Sequence, residues 1–209
     1  MFKAIFWDND GVLMETEHLY YRANAEALSS LGIELTPAVF QDISLGQGQS
    51  VLALAGAAEA SLRPWRDQRY HELLGSEAAV IPGVNATLGR LHGRQPMAIV
   101  TSCRRVHFER MHRDSGLLDY FDFTLTREDY GNSKPDPEPY LTACRRVGQE
   151  PEACLAIEDS PRGVMAAARA GLAVAAIPGS MNRGGDFSAA RWLLESVLQL
   201  PELLETGNP

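Results

Sequence analysis

The sequence predicts an α/β protein in which a parallel sheet core carries an inserted α-helical cap. Three observations carry this. In the second half of the chain, short apolar runs alternate with helical segments of about ten residues, the pattern of βαβ units and a parallel sheet. One more apolar run, Lys3–Trp7, opens the chain. Between them, from Thr16 to about Val80, the texture is helical with no convincing strand. A strand that precedes the helical stretch belongs with the strands that follow it, so the stretch is an insertion. The predicted core is 1–15 plus 81–209, a Rossmann-like sheet, and the predicted cap is 16–80. A chain of 209 residues, long for one minimal domain and short for two, suits that division.

The elements follow in order. Lys3–Trp7 reads as a buried strand, broken by the turn chemistry of Asp8-Asn9-Asp10-Gly11. Leu19, Ala23, Ala27 and Leu31 recur at helical spacing. Thr36-Pro37 is an N-cap followed by proline at the first helical position, and Gly46–Ser50 is a loop. Val51–Ala60 and Pro64–Leu74 read as two helices, the second closed by Gly75. After Ile81-Pro82-Gly83, helices are expected at Val84–Leu91, Val106–Asp114, Pro137–Val147 and Pro161–Ala170, with Asp136 and Ser160 as caps of the last two. Strands are expected at Met97–Val100, Phe123–Leu125, Cys154–Ile157 and Ala173–Ile177.

Composition narrows the function. Hydrophobic residues are 45% and charged residues 22%, an ordinary globular balance, and the net charge is −8. An acidic chain lacks the positive field that nucleic acid or an anionic membrane requires. No apolar run approaches a membrane span, and the N-terminal apolar run is too short for a signal peptide. Three scattered cysteines, Cys103, Cys144 and Cys154, suggest reduced thiols and a cytoplasmic protein. Oligomeric state is not readable.

Polar residues fall where strands end. Ligands of open parallel sheets sit beyond the carboxyl ends of the strands. Lys3–Trp7 ends in Asp8, Met97–Val100 in Thr101-Ser102, and Cys154–Ile157 in Glu158-Asp159, while Lys134 lies in a loop just before a helix. Carboxylates brought together raise one another's pKa, and a divalent cation relieves this. Oxygen-only ligands suit Mg²⁺, which binds through carboxylates plus phosphate oxygens. Lys134 and the Thr101 hydroxyl are then placed to hold the remaining oxygens of a phosphate. Each feature alone has a plainer reading: Asp8–Gly11 as a hairpin turn, Asp159-Ser160-Pro161 as a helix start, Lys134 as a solvated lysine. The set in this order does not.

Four motifs in order carry a resemblance. Asp8-Asn9-Asp10-Gly11-Val12 matches D-x-D-G-[TV], Thr101 closes the next strand, Lys134-Pro135-Asp136-Pro137 matches K-P-x-P, and Glu158-Asp159-Ser160-Pro161-Arg162-Gly163 matches E-D-S-x-x-G. With these the chain resembles the haloacid dehalogenase superfamily over nearly its whole length. The resemblance implies a Mg²⁺-dependent phosphatase. Asp8 is implied as the nucleophile that becomes an aspartyl phosphate, Asp10 as the acid and base, and Thr101 and Lys134 as phosphoryl ligands. Asp8, the Asp10 carbonyl and Asp159 are implied as metal ligands, with Glu158 direct or through water. Glu17 and Ser102 join Thr101 and Lys134 as substrate-binding candidates.

The same resemblance orders the alternatives. A carboxylate at Asp10 favours phosphoryl transfer over carbon–halogen cleavage. The Glu158-Asp159 pair resembles the sugar-phosphatase and β-phosphoglucomutase branch, so the expected substrate is a sugar or polyol phosphate. A mutase is the second reading. Against it, the mutase's histidine at the start of the cap aligns with Tyr20, and His18 lies two residues away. A non-catalytic metabolite-binding protein is the third.

Other features carry less. Gly46-Gln47-Gly48 lacks the strand and third glycine of a dinucleotide loop, and either faces the site or merely connects helices. His107 and His112, five apart, do not share a helix face. Arg104 and Arg105 read as a solvated helix end, Cys103 as a packing residue, and Trp7, Trp65 and Trp192 as packing residues.

Overall fold

A computed structural model describes residues 2–206. Met1 and positions 207–209, which the sequence assigns to the core, lie outside the described residues. The main sheet has six parallel strands: β1 (Ala4–Trp7), β4 (Met97–Val100), β5 (Phe123–Leu125), β6 (Cys154–Glu158), β7 (Ala173–Ala176) and β8 (Trp192–Leu193). Their order is β5-β4-β1-β6-β7-β8. From β1 the chain adds β4 and β5 on one side, then returns to add β6, β7 and β8 on the other. That reversal beside β1 is the topological switch point at which open α/β sheets bind ligands. This is the Rossmann-like sheet expected from the sequence.

Alternation within the central strands divides the core in two. Ile5, Trp7, Ile99, Leu155 and Ile157 pack on one face against α4 (Val84–Leu91) and α5 (Arg105–His112), through Leu88, Phe108 and Met111. Ala4, Phe6, Ala98, Val100 and Ala156 pack on the other against α6 (Glu138–Val147) and α7 (Pro161–Arg169), through Tyr140, Ala143, Val164 and Ala167. Every residue of β1 is fully buried, as a strand covered on both faces requires. Ser160 caps α7, its hydroxyl accepting from the Gly163 N–H at 3.2 Å. The Asp136 carboxylate accepts from the Glu138 N–H at the start of α6. A last helix, α8 (Leu200–Thr206), packs on the first face through Leu203.

The chain leaves the sheet through β2 (Met14–Glu15) and returns through β3 (Ala79–Val80), and these pair antiparallel as a two-stranded ribbon. Between them lie α1 (Glu17–Ser29), α2 (Pro37–Phe40), a π-helical turn at Gln41–Gly46, a 3₁₀ segment at Val51–Ala58 and α3 (Glu59–Glu77). Leu28, Phe40, Val51 and Leu52 form a separate apolar cluster there.

Several expectations are corrected. Helix α1 ends at Ser29, so Leu31 falls beyond it and is exposed. The two helices expected at Val51–Ala60 and Pro64–Leu74 are instead a 3₁₀ segment, kinked within itself at Gly56 where φ is 56°, and one long α3 that starts at Glu59. Helix α3 runs through Pro64 and past Gly75. Gly75 is not a stop but a bare surface on which the Arg110 guanidinium of α5 rests; a Cβ there would lie 1.7 Å from Arg110 Nη2. Trp65 is exposed rather than packed. The ribbon and β8, two residues per strand, lack a readable period.

Candidate active site

Strands β4, β1 and β6 are neighbours, and their carboxyl ends deliver Thr101, Asp8 and Glu158 side by side. Pairing of Trp7 with both Ile99 and Ile157 sets the three ends level. Lys134 enters from the loop before α6 and is itself buried. Its Nζ donates to Asp8 Oδ1 at 2.7 Å, Glu158 Oε1 at 2.6 Å and the Val100 carbonyl at 2.8 Å. Three acceptors satisfy the three ammonium hydrogens. Burial pulls down on that ammonium, but Asp8 and Glu158 outweigh it and hold it well above the usual lysine value. The reading of Lys134 as a solvated lysine fails.

Asp8, Glu158 and Asp159 form a buried group in which one carboxylate oxygen from each lies within 4.8 Å of the others. Burial, then the Glu158 and Asp10 charges, push Asp8 up to about 8 against the opposing pull of Lys134. Burial and the neighbouring carboxylates, Glu17 first, push Asp159 well above the usual range. Lys134 pairs with two of these acids, Asp8 and Glu158. The second Glu158 oxygen, Oε2, is buried without a hydrogen-bond partner. Tyr140, on α6, donates its hydroxyl to Glu158 Oε1 at 2.5 Å.

Two motif glycines exist for these acids. A Cβ on Gly11, where φ is 83°, would lie 2.1 Å from Asp159 Oδ2, and one on Gly163 would lie 1.9 Å from Glu158 Oε2. The first and last motifs are thus fitted to each other across the sheet.

Asp10 stands apart from the acid group and is half-buried. Thr16 Oγ1 lies 2.5 Å from its Oδ1, and Thr101 Oγ1 and Asn9 Nδ2 each lie 3.2 Å from its Oδ2. With its carboxylate so engaged, only its main-chain carbonyl matches the metal role implied by the resemblance. The Thr101 hydroxyl also accepts from the Cys103 N–H, and its own carbonyl accepts from Tyr130.

Asp8, Asp10, Glu17, Thr101, Ser102 and Lys134 all line one cavity of about 520 Å³, joined by Asp159. Glu158 lies behind that wall. Burial and then Asp10 push Glu17 up to about 7, against hydrogen bonds from Asn182 and Asp159. The Gly46–Ser50 loop faces the cavity through Gly48, Gln49 and Ser50. Tyr20 lines it, its hydroxyl accepting from Arg66 at 2.7 Å, while His18 is exposed and does not. Arg104 pairs with Asp67 of α3 at 3.0 Å, and Arg105 with Asp129 at 2.6 Å, so neither is merely solvated. Cys103 packs against the first core cluster as expected.

Sequence reasoning missed four contributors. Asn182 bridges Glu17 Oε1 and Asp159 Oδ2, each at 2.8 Å, from a stretch with no pattern to flag it. Tyr140 reads as one more core residue of α6. Arg162 donates to the Lys134 carbonyl and sits against Gly48, joining the α7 start to the loop opposite. Asn9 was legible only as a polar residue inside a turn.

A parallel sheet whose switch point gathers three buried carboxylates beside a lysine is a site of the kind that open α/β enzymes carry at the carboxyl ends of their strands. The chain belongs to the haloacid dehalogenase-like hydrolase family, whose profile matches residues 2–171. It is 30% identical to the protein CbbY of Rhodobacter capsulatus, over 93% of each chain. It is 32% identical to the validoxylamine A 7′-phosphate phosphatase of Streptomyces hygroscopicus subsp. limoneus, covering 82% of this chain and 84% of that one. Among solved structures, CbbY of Rhodobacter sphaeroides in complex with xylulose-(1,5)bisphosphate superposes with a TM-score of 0.82, at 26% identity and 96% coverage of each chain.

Proposed function

We propose that this protein is a Mg²⁺-dependent phosphatase of small phosphorylated metabolites, sugar or polyol phosphates, working through an aspartyl phosphate. The observation that carries the reading is the buried acid group at the cavity floor, held against one lysine. The donor set is all oxygen, Lys134 pairs with Asp8 and Glu158 but not with Asp159, and Glu158 Oε2 lacks a partner. Those features fit a hard divalent cation. Asp8, Glu158, Asp159 and the Asp10 carbonyl would hold Mg²⁺, which when bound neutralises charge building up on the phosphoryl oxygens.

The residues supply the rest. Lys134 holds Asp8 by one oxygen, leaving the carboxylate fixed for attack on phosphorus. As the Asp8–phosphorus bond forms, the ester bond breaks and its electron pair passes to the leaving oxygen, which takes a proton from Asp10. Asp10 then takes a proton from the water that cleaves the acyl phosphate. Lys134, Thr101 and Ser102 hold phosphoryl oxygens. Glu17, poised near neutrality, offers a donor or an acceptor to a substrate hydroxyl beside the transferred group. Residues 16–80 act as a cap that moves over the core about the ribbon, excluding water from the first step. That a phosphatase and a structure in complex with a sugar bisphosphate stand among the similar proteins supports this reading. The exposed position of His18, with Tyr20 in the cavity, favours hydrolysis over phosphomutase action. Free cysteines and the lack, among the described residues, of a helix able to cross a membrane fit a cytoplasmic enzyme.

Asp8→Asn should abolish hydrolysis of p-nitrophenyl phosphate, and EDTA should suppress it in the native protein until Mg²⁺ is restored. Full activity in Asp8→Asn would overturn the mechanism. Interconversion of hexose phosphates outpacing their hydrolysis would establish the mutase instead.

A further inference from the structure

Asn9 lies between Asp8 and Asp10 and is fully buried. A buried amide persists only where its donors and acceptor are met. Its Oδ1 lies 2.7 Å from His112 Nε2, and its Nδ2 lies 3.2 Å from Asp10 Oδ2 and 3.0 Å from Met111 Sδ. The reverse amide orientation would aim an oxygen at the Asp10 carboxylate, so chemistry fixes this one. An amide oxygen only accepts, hence His112 Nε2 carries a hydrogen. Burial lowers His112 to about 4 despite Asp10, so near neutrality the ring has that one N–H and no charge. Nδ1 is therefore an acceptor, and the Ser115 hydroxyl 2.9 Å away is its donor. The Phe108 ring, centroid 4.5 Å from the imidazole, wedges it in place.

The result is a one-way chain of donors: Ser115 to His112, His112 to Asn9, Asn9 to Asp10. We propose that Asn9 and His112 are positioning residues that fix the orientation of the Asp10 carboxyl group through its Oδ2. The Asn9 amide can only donate, so Oδ2 is held as an acceptor. The Thr16 hydroxyl donates to Oδ1 at 2.5 Å, so both oxygens of the carboxyl group are held. So oriented, Asp10 gives a proton to the departing oxygen as the phosphorus–oxygen bond breaks, and is left as the carboxylate. The inference rests on the phosphatase reading and adds what orients its acid.

The test compares two phosphate esters of similar size and different leaving group. Benzyl phosphate departs as an alkoxide and needs the proton; p-nitrophenyl phosphate departs as a stabilised phenolate and needs it little. Asn9→Leu combined with His112→Phe removes both partners at once, so no buried polar group is stranded and the fold is kept. This variant should lose about 10- to 100-fold in kcat/KM for benzyl phosphate and under about 3-fold for p-nitrophenyl phosphate. His112→Gln, whose amide nitrogen reaches where Nε2 stood, should stay within about 3-fold of wild type on both. Equal losses on both esters, or none, would overturn the inference. Failure of the wild-type protein to cleave either ester would instead overturn the phosphatase reading.

Discussion

Lys134 sits among three acceptors at 2.6 to 2.8 Å, and it is the sole ammonium set against Asp8, Glu158 and Asp159. Burial, then the Glu158 and Asp10 charges, push Asp8 up to about 8 against the pull of Lys134. A nucleophile must be the anion, and the proposed Mg²⁺ would supply the further positive charge that keeps Asp8 so. His112 follows the opposite logic. It is kept neutral by burial, with a value near 4 against 6.5 for an unburied ring. The unfolded chain binds a proton there from about pH 6.5 downward, whereas the folded chain refuses it until about pH 4. A depressed histidine therefore adds stability above pH 6.5 that is lost as the pH falls through this window. Between pH 7 and pH 5 the loss is about 2 kcal/mol. Urea unfolding at the two pH values should show wild type losing about that much more than His112→Gln, whose amide does not titrate. Parallel losses would mean that His112 takes up its proton over the same pH range folded as unfolded.

Among the elements, the central strands were legible and the short pieces were not. Lys3–Trp7, Met97–Val100 and Cys154–Ile157 are apolar runs because parallel strands are covered on both faces, and each ends where a polar residue begins. That break in texture located Asp8, Thr101 and the Glu158-Asp159 pair. The ribbon strands, at two residues each, are too short to show a period. Helix α3 reads short at both ends because Pro64 and Gly75 look locally like a start and a stop. In the fold Gly75 answers to Arg110, a contact 35 positions away that no local rule contains. Gly163 carries the same lesson with the sign exposed. Helix propensity alone says that Gly163→Ala adds about 1 kcal/mol of stability to α7. The added methyl would lie 1.9 to 2.2 Å from the Glu158 carboxyl group, and that overlap costs about 1–3 kcal/mol. Overlap wins, so Gly163→Ala should be less stable in urea and should need more Mg²⁺ for half-maximal activity. A more stable variant with an unchanged Mg²⁺ requirement would show that Glu158 has room to withdraw.

Across the whole molecule, the helical stretch meets the core at several places besides the ribbon, and two of them involve arginines at the cavity. On one side Arg162 of α7 lies against Gly48; on the other Arg104, at the start of α5, pairs with Asp67 of α3. If 16–80 is a moving cap, both are contacts of the closed form and are broken in the open one. The Arg104–Asp67 pair is partly exposed, its side chains at 56% and 25%, so solvent screens it. Pairs of that kind contribute about 0.2–1 kcal/mol, which is at most about a 5-fold shift in the balance between open and closed forms. Arg104→Gln should therefore raise KM for p-nitrophenyl phosphate by no more than about 5-fold. The effect should shrink as salt rises from about 0.05 to 0.5 M, where the screening length becomes short. A direct bond from Arg104 to the phosphate would be a charge-assisted contact in a closed, drier cavity, and losing it would cost more. Magnitude thus separates the two roles that a cavity-lining arginine can have. A loss near 100-fold that survives high salt would move Arg104 from the latch to the substrate.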